Sequence, residues 1–315
     1  MKAALIGMGV IGKVHRDVLR EQGIELAAVC DVLPERREGA KRGYDDYREM
    51  ILRESPDVVH ICTPHYLHTE MIVFALEHGC NVLCEKPLTI HLADIDRIIA
   101  AEDASSGMLG VCLQNRYNPS SAFAKRYLVG KKIDRAFGEV RWHRDAGYYA
   151  SGEWRGRWAT EGGGVLINQA IHTVDLLQWL CGDPTDVTGS MQNISLKGVI
   201  EVEDTAHLHM EGKTPCELFA TNTTKEDHPA KVKVVTEGKT LEIYPDRALL
   251  DGEPVPLEQE DGWYGKRMYG KGHSALIAHF YDCVSKKEKF PLDGREGSRS
   301  VRTVLTFYDK CRRGM

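Results

Sequence analysis

The chain has 315 residues, 42% hydrophobic and 28% charged, with a formal net charge of −5 and both signs spread along it. The length predicts roughly two domains of about 150 residues each. There is no basic stripe for nucleic acid and no apolar run near the ~20 residues of a membrane span. Nine cysteines, an odd number with no C-x-x-C pair, argue against a disulfide framework and a zinc ribbon; in runs such as AAVC, VHIC and GVCL they read as small core hydrophobes.

The first half alternates strand and helix signals. KAALIG (2–7) is a short apolar strand running into glycines, and this pattern fits a first strand rather than a signal peptide, so a cytoplasmic chain is expected. A helix over 13–22 follows, then a strand ELAAVCD (25–31), a helix over 44–55 and a strand DVVHICTP (57–64). Next come a helix over 67–79 closed by glycine, a strand NVLCEKP (81–87), a helix over 91–107 and a fifth strand MLGVCLQ (108–114). Strands that are apolar throughout, alternating with helices, predict βαβ units and a parallel sheet.

The rhythm changes after about residue 118. A helix over 120–129 precedes GEVRWHRD, a loop rich in Gly, Trp, Tyr and Arg (145–164) and a strongly apolar helix (164–181). Alternating strands with polar turns fill 185–250, and two helices (273–286 and 295–312) close the chain. The pattern predicts an α+β domain with a mainly antiparallel sheet, dividing the chain into 1–118 and 119–315, with the closing helices free to pack back on the first part.

Gly7-Met8-Gly9-Val10-Ile11-Gly12 spells G-x-G-x-x-G between a strand and a helix, with Asp31 at the tip of the second strand. That context is what a dinucleotide fingerprint requires. The glycines allow the tight turn, the approach of a pyrophosphate and close helix–strand packing, and the phosphates rest on a helix N-terminus. Asp31 is expected to accept from ribose hydroxyls and to repel a 2′-phosphate, favouring NAD over NADP. Arg36 and Arg37 just beyond read as solvated charge.

The third strand ends in Thr63, Pro64 and His65, with His68 one turn on. No metal is expected from His60, His65 and His68, because His60 sits inside a strand and the spacing matches no standard ligand set. The fourth strand ends in an acid, a base and a strand-breaker, Glu85-Lys86-Pro87. Open parallel sheets hold their ligands at such tips. A lysine there polarises a hydroxyl or carbonyl and exchanges its proton as hydride moves. In GGGVLINQAIHTVDLLQWLCG (162–182), Asn168, His172 and Asp175 stand at i, i+4 and i+7 on one helix face. The helix is otherwise too apolar to lie open on a surface, so the polar stripe is read as facing a cleft, with His172 as an acid/base at neutral pH.

These motifs, with CTPHYLH, QNRYNP, the YGKGH segment (269–273) and GREGSRSV, resemble the Gfo/Idh/MocA family of sugar and cyclitol oxidoreductases over nearly the full length. The resemblance implies a Rossmann domain plus an α/β domain whose open sheet forms a homodimer or homotetramer interface. It implies Lys86 and His172 as the catalytic pair, and Thr63, Pro64, His65, His68, Glu85 and Asn115 lining the cofactor. Many members carry Asp where this chain has Asn168. Arg116, Tyr148, Trp154, Arg155, Asn168, His172 and Asp175 are the expected substrate contacts, the aromatic loop 145–164 covering them with Tyr149, Arg157 and Trp158 as further candidates. The expected activity is hydride transfer between nicotinamide and a ring carbon of a sugar, cyclitol, glycoside or sugar nucleotide. Rival readings are an enzyme that holds NAD and oxidises C3 transiently for elimination or glycoside cleavage, and a non-catalytic NAD or sugar sensor.

Overall fold

The computed structural model describes residues 1–37, 41–257 and 272–313. The chain divides into two compact units; among the described residues the first comprises 1–113 and His273–Ser298, and the second 114–257, Gly272 and 299–313. The division therefore falls at 113/114 rather than at 118, and the first closing helix lies in the first unit from His273 onward.

The first unit begins β1 (Lys2–Ile6), α1 (Val10–Glu21), β2 (Glu25–Cys30), β3 (Arg42–Tyr44), α2 (Tyr47–Glu54), β4 (Val58–Ile61), α3 (His68–Glu77), β5 (Asn81–Glu85), α4 (Leu92–Ala104) and β6 (Leu109–Cys112). The six strands are parallel, in the order β3-β2-β1-β4-β5-β6. Leu5, Val59, Ile61, Val82 and Leu83 are fully buried, as expected where helices cover both faces of a parallel sheet. Strand order reverses between β1 and β4, and in such sheets the crevice at the carboxyl ends of the strands at that point takes the ligand. The short edge strand β3 is not predicted by the sequence, because its three residues RGY carry no apolar run.

The second unit holds α5 (Pro119–Tyr127), β7 (Ile133–Arg141), α6 (Ala146–Ala150), α7 (Val165–Asn168), α8 (Ile171–Cys181), β8 (Asp186–Gln192), β9 (Thr205–Glu211) and β10 (Cys216–Thr221). It continues through β11 (Lys231–Thr236), β12 (Lys239–Ile243), β13 (Ala248–Leu250) and β14 (Glu253–Pro254). Its eight-stranded sheet runs β14-β13-β12-β11-β7-β10-β9-β8, antiparallel except where β7 meets β10. Helix α8 packs across β7, β10 and β11. A Cβ on Gly138 of β7 would fall 2.7 Å from Thr173 and 3.0 Å from Leu177, so glycine lets this helix seat on the sheet.

The chain ends in α9 (Gly272–Lys286) and α10 (Gly294–Arg313). In the first unit Phe280 of α9 lies where Gly110 of β6 leaves room; a Cβ there would be 2.7 Å from its ring. Of the YGKGH segment, residues 269–271 lie outside the described residues, and Gly272 and His273 open α9. No helix among the described residues is long and apolar enough to cross a membrane.

One predicted element is corrected. The apolar stretch 164–181 is two helices, α7 and α8, not one. Gln169 and Ala170 form the break, where the Ala170 N–H reaches back to the Val165 carbonyl and the Gln169 amide is drawn off to Asn222 and Tyr148. Tertiary hydrogen bonds here outweigh a helical periodicity that is continuous in the sequence.

Candidate functional site

The residues expected at the site fall in two groups, one in each unit. In the first unit the glycine loop is built as its pattern requires. Gly7 sits at φ +89°, and a Cβ on it would lie 2.6 Å from the Cys62 carbonyl oxygen. A Cβ on Gly12 would be 2.0 Å from the Gly7 carbonyl oxygen. Beside Gly9, the residue before α1, a Cβ would meet nothing within 4 Å. The helix starts at Val10, three residues earlier than its pattern suggests, with no acid in its first turn and no side-chain cap. Val10 is exposed and Ile11 half-buried. Open space in front of uncapped N–H groups, at the positive end of a helix dipole, fits a pyrophosphate.

Asp31 follows β2 and is buried. Its Oδ2 accepts from the Met8 N–H at 2.8 Å and its Oδ1 from the Leu33 N–H at 2.9 Å. The carboxylate thus ties the glycine loop to the next strand tip, and each oxygen keeps a lone pair for a ribose hydroxyl. Arg37 donates to the Asp31 and Val32 carbonyls at 2.7 and 3.2 Å, and Arg36 is exposed.

Thr63 and Pro64 are half-exposed after β4, and His65 is buried at the start of a short 3₁₀ turn. His68 stands apart from the expected cofactor lining. It is fully buried, with Nδ1 2.7 Å from the Pro87 carbonyl oxygen and Nε2 3.0 Å from that of Thr63. It therefore clamps two strand tips together. Burial lowers its pKa, against the pull of the two carbonyls.

Glu85 likewise points inward, 4% exposed. Its Oε1 lies 3.1 Å from His15 Nε2 and 3.6 Å from His273 Nε2, and its Oε2 accepts from the Lys86 N–H at 3.2 Å. Beyond His15 the network continues from Nδ1 to His60 Nδ1 at 2.8 Å and from His60 Nε2 to the Tyr281 hydroxyl at 2.9 Å, every member buried. Burial pushes Glu85 up, but the hydrogen bond from His15 and the proximity of the His15 and His273 imidazoles outweigh it and hold the carboxyl well below the usual range. Glu85 anchors the tip from which half-exposed Lys86 emerges; the Lys86–Pro87 peptide is cis.

A folded-state pKa below the unfolded value means that this stability is present above about pH 4.3 and is lost as pH falls through the lower folded value. The stability difference between wild type and Glu85→Gln is therefore expected to be flat above about pH 5, at ~1.5–3 kcal/mol for charge-assisted hydrogen bonds, and to shrink below about pH 4.3. Urea unfolding across pH checks it; a difference that widens on acidification contradicts the assignment.

In the second unit Arg116 and Asp175, both expected on substrate, face each other. Nε donates to Oδ2 at 2.8 Å and Nη2 to Oδ1 at 2.7 Å, both side chains buried, with Arg116 over the Trp179 ring at 5.3 Å. The pair joins the segment before α5 to α8. His172 is buried on α8, its Nε2 3.3 Å from the Gln114 amide nitrogen. Asn115 is buried, and its Oδ1 has no hydrogen-bond partner among the described residues, a condition that a donor from a bound molecule would relieve.

Asn168 ends α7 and donates to Glu161 and, at 3.4 Å, to the Tyr148 hydroxyl. Glu161, 1% exposed, thus supplies beside this position the carboxylate that the sequence lacks there. Tyr148 also accepts from Arg155 at 2.6 Å and from Gln169 at 3.3 Å. The Arg155 guanidinium lies 4.4 Å from the ring centroids of both Tyr148 and Trp154. Tyr149 packs instead on Leu196, Ile200 and Val202, and Trp158 on Tyr308. A groove of about 700 Å³ between 146–157 and 198–201 is lined by Arg155 and Arg157.

Sequence reasoning does not find Glu161, Gln114 or the His15–His60–Tyr281 chain. His15 carries a signal: it lies in the apolar stripe Ile11, His15, Leu19 of an amphipathic helix, where a polar residue needs a buried partner. Glu161 carries none, since its loop shows no periodicity.

Comparison with known proteins agrees with this architecture. Residues 1–113 match a family described as oxidoreductases with an NAD-binding Rossmann fold, and residues 132–244 match the GFO/IDH/MocA C-terminal domain. The inositol 2-dehydrogenase of Salmonella typhimurium is 28% identical over 193 residues, 58% of this chain, and the chain spans only 55% of that enzyme's length. The 4-carboxy-2-hydroxymuconate-6-semialdehyde dehydrogenase of Sphingobium sp. is 28% identical over 98% of this chain and 96% of its own. Among solved structures, the WlbA dehydrogenase of Bordetella pertussis, in complex with NADH and UDP-GlcNAcA, superposes with a TM-score of 0.86 at 25% identity, covering 100% of this chain and 97% of its own.

Proposed function

Because this chain belongs to the GFO/IDH/MocA oxidoreductase family, we propose that it is an NAD-dependent dehydrogenase moving a hydride between nicotinamide and a ring carbon of a sugar, cyclitol, glycoside or sugar nucleotide. The observation that carries this reading lies in the first unit. One edge of its parallel sheet collects the glycine loop after β1, Asp31 after β2, Thr63 and Pro64 after β4 and Lys86 after β5, at the point where strand order reverses. The nicotinamide ring, when bound, supplies the hydride acceptor. The α1 N-terminus holds the phosphates, Asp31 the ribose, and the tips at Thr63, Pro64 and His65 line the cofactor. His68 and Glu85 act through those tips, by clamping and anchoring them.

Lys86 takes the proton of the substrate hydroxyl, or returns it to a carbonyl, and His172 orients the substrate or shares that proton. Asn168 hydrogen-bonds the substrate, its amide steered by Glu161. Tyr148 and Trp154, each with the Arg155 guanidinium against its ring, supply aromatic surface to a sugar ring. Arg116 and Asp175 support the site by holding α8. The UDP-GlcNAcA bound by the WlbA relative and the carboxylated substrate in the Sphingobium enzyme's name widen the substrate class toward acids. The protein is read as cytoplasmic and as a homodimer or homotetramer.

The test is nicotinamide absorbance against a panel of sugars, cyclitols, glycosides, sugar nucleotides and carboxylated aldehydes, with NAD and NADP in parallel. Steady reduction by one ring substrate is expected, with kcat/KM favouring NAD by at least about tenfold, the size of a 1.4 kcal/mol charge penalty at Asp31. No reduction with cofactor still bound would transfer the reading to transient internal oxidation or to a sensor.

A further inference from the structure

The loop before α7 holds a cation that no acid among the described residues neutralises. Arg155 is half-buried. Its guanidinium, 4.4 Å from the ring centroids of both Tyr148 and Trp154, is held in place by two aromatic rings that favour a positive charge. Nη1 donates to the Tyr148 hydroxyl at 2.6 Å. The Asn168 and Gln169 amides donate to the same hydroxyl at 3.4 and 3.3 Å, so it has no lone pair left for a second guanidinium N–H. The remaining N–H groups of Arg155 have no acceptor among the described residues. The other charges of this region are committed elsewhere. Arg144, 5.0 Å from the Tyr148 ring centroid, pairs with Asp227 at 2.8 Å, and Arg157 faces Glu201 at 3.8 Å. Glu161 accepts from the Gly156 N–H and from Asn168. Arg155 lines the groove of about 700 Å³ together with Tyr149, Val199 and Ile200, and the exposed Glu153 and Glu201 share that lining.

We propose that Arg155 binds the carboxylate of a cyclic sugar acid, which the dehydrogenase reading, on which this part rests, makes the substrate. A guanidinium fixed in plane presents parallel N–H groups that match the two oxygens of a carboxylate. Its place suits a substituent on the ring: the Tyr148 hydroxyl that anchors Arg155 is the one that Asn168 also reaches, so a ring hydrogen-bonded by Asn168 carries an exocyclic carboxylate toward the fork. A carboxylate fits better than a phosphate. One guanidinium is available and no second uncommitted cation stands beside it among the described residues. The first turn of α6 is already capped by the Asp145 carboxylate, which accepts from the Tyr148 N–H at 2.8 Å. Glu153 and Glu201 on the groove wall oppose a second negative charge. A neutral sugar leaves the fork without its anion, and a site built around a charged group discriminates against the analogue that lacks it.

The test is isothermal titration of the full chain, with and without NADH, using D-glucuronate and D-galacturonate against D-glucose, D-galactose and D-glucose 6-phosphate. Nicotinamide absorbance is followed on the same compounds with NAD. At least one uronate is expected to bind about tenfold or more tighter than its neutral counterpart, and to lose about tenfold or more in Arg155→Gln, the scale of a charge-assisted hydrogen bond. Arg155→Lys keeps the charge without the fork and is expected to recover only part of that loss. Thermal melting checks that each variant is folded, and Arg155→Lys carries the comparison should Arg155→Gln not fold. Uronate binding that depends on Arg155, with no reduction of NAD, supports the carboxylate site and removes the dehydrogenase reading. Reduction driven by a neutral sugar, with the same KM in Arg155→Gln, supports the dehydrogenase and overturns the carboxylate site. The site is also overturned if neither uronate binds, if uronate and neutral sugar bind alike, or if the phosphate is the anion whose binding depends on Arg155.

Discussion

Replacing Lys86 with alanine is expected to lower kcat for nicotinamide reduction by about 10²–10⁴-fold while leaving the NAD dissociation constant within a few-fold, because general acid–base catalysis by one positioned group contributes that much to the rate. The separation of effects follows from where each job is done in the first unit. In the proposed reading phosphate and ribose are held at Gly9, Val10, Ile11 and Asp31, where the Asp31 carboxylate takes its hydrogen bonds from the Met8 and Leu33 N–H groups. The tip itself survives the substitution, since Glu85 holds the backbone N–H of residue 86, not its side chain. Turnover by absorbance and NAD binding by fluorescence titration give the two numbers. Undiminished kcat would remove Lys86 from proton transfer and leave His172 as the acid/base; lost NAD binding would make the lysine a cofactor ligand instead.

Arg116→Ala is expected to cost about 3–5 kcal/mol of stability, the usual penalty for stranding one charge of a buried pair. Asp175 is 1% exposed, and its two oxygens accept the Arg116 fork at 2.7 and 2.8 Å. Removing the guanidinium leaves a carboxylate in the interior with that charge uncompensated. The double variant Arg116→Met, Asp175→Leu is expected to recover most of the loss, because replacing both charges by apolar groups of similar size is often neutral. Urea denaturation of the three proteins measures this. If both residues instead served mainly as substrate ligands, the single variant would keep its stability and raise KM.

The first unit is largely legible in the amino-acid sequence. Parallel strands buried on both faces are apolar throughout, so KAALIG, VVHI and NVLC stand out without reference to their partners, and G-x-G-x-x-G between a strand and a helix has few other uses. Side-chain direction at the strand tips is not legible there. Polar residues just past strand ends usually face out, and the family resemblance implies that Glu85 and His68 line the cofactor. The partners that turn them inward, His15, His273 and the Pro87 carbonyl, are 70, 188 and 19 residues away in the chain. The same holds for Arg116, whose fork is satisfied by a carboxylate 59 residues on.

By itself the sequence determined the long apolar elements of the first unit and which residue types stand at the carboxyl ends of its sheet, since both depend on local periodicity and on the special backbone freedom of Gly7. Tertiary structure decided which charges remain for chemistry. Pairing took Glu85, Arg116 and Asp175 into the interior, a break at Gln169 divided one periodic helix into two, and Glu161 came to rest beside Asn168 from a loop with no pattern. A charge is neutralised or free according to what lies within about 4 Å of it, and that neighbourhood exists only once distant segments have met.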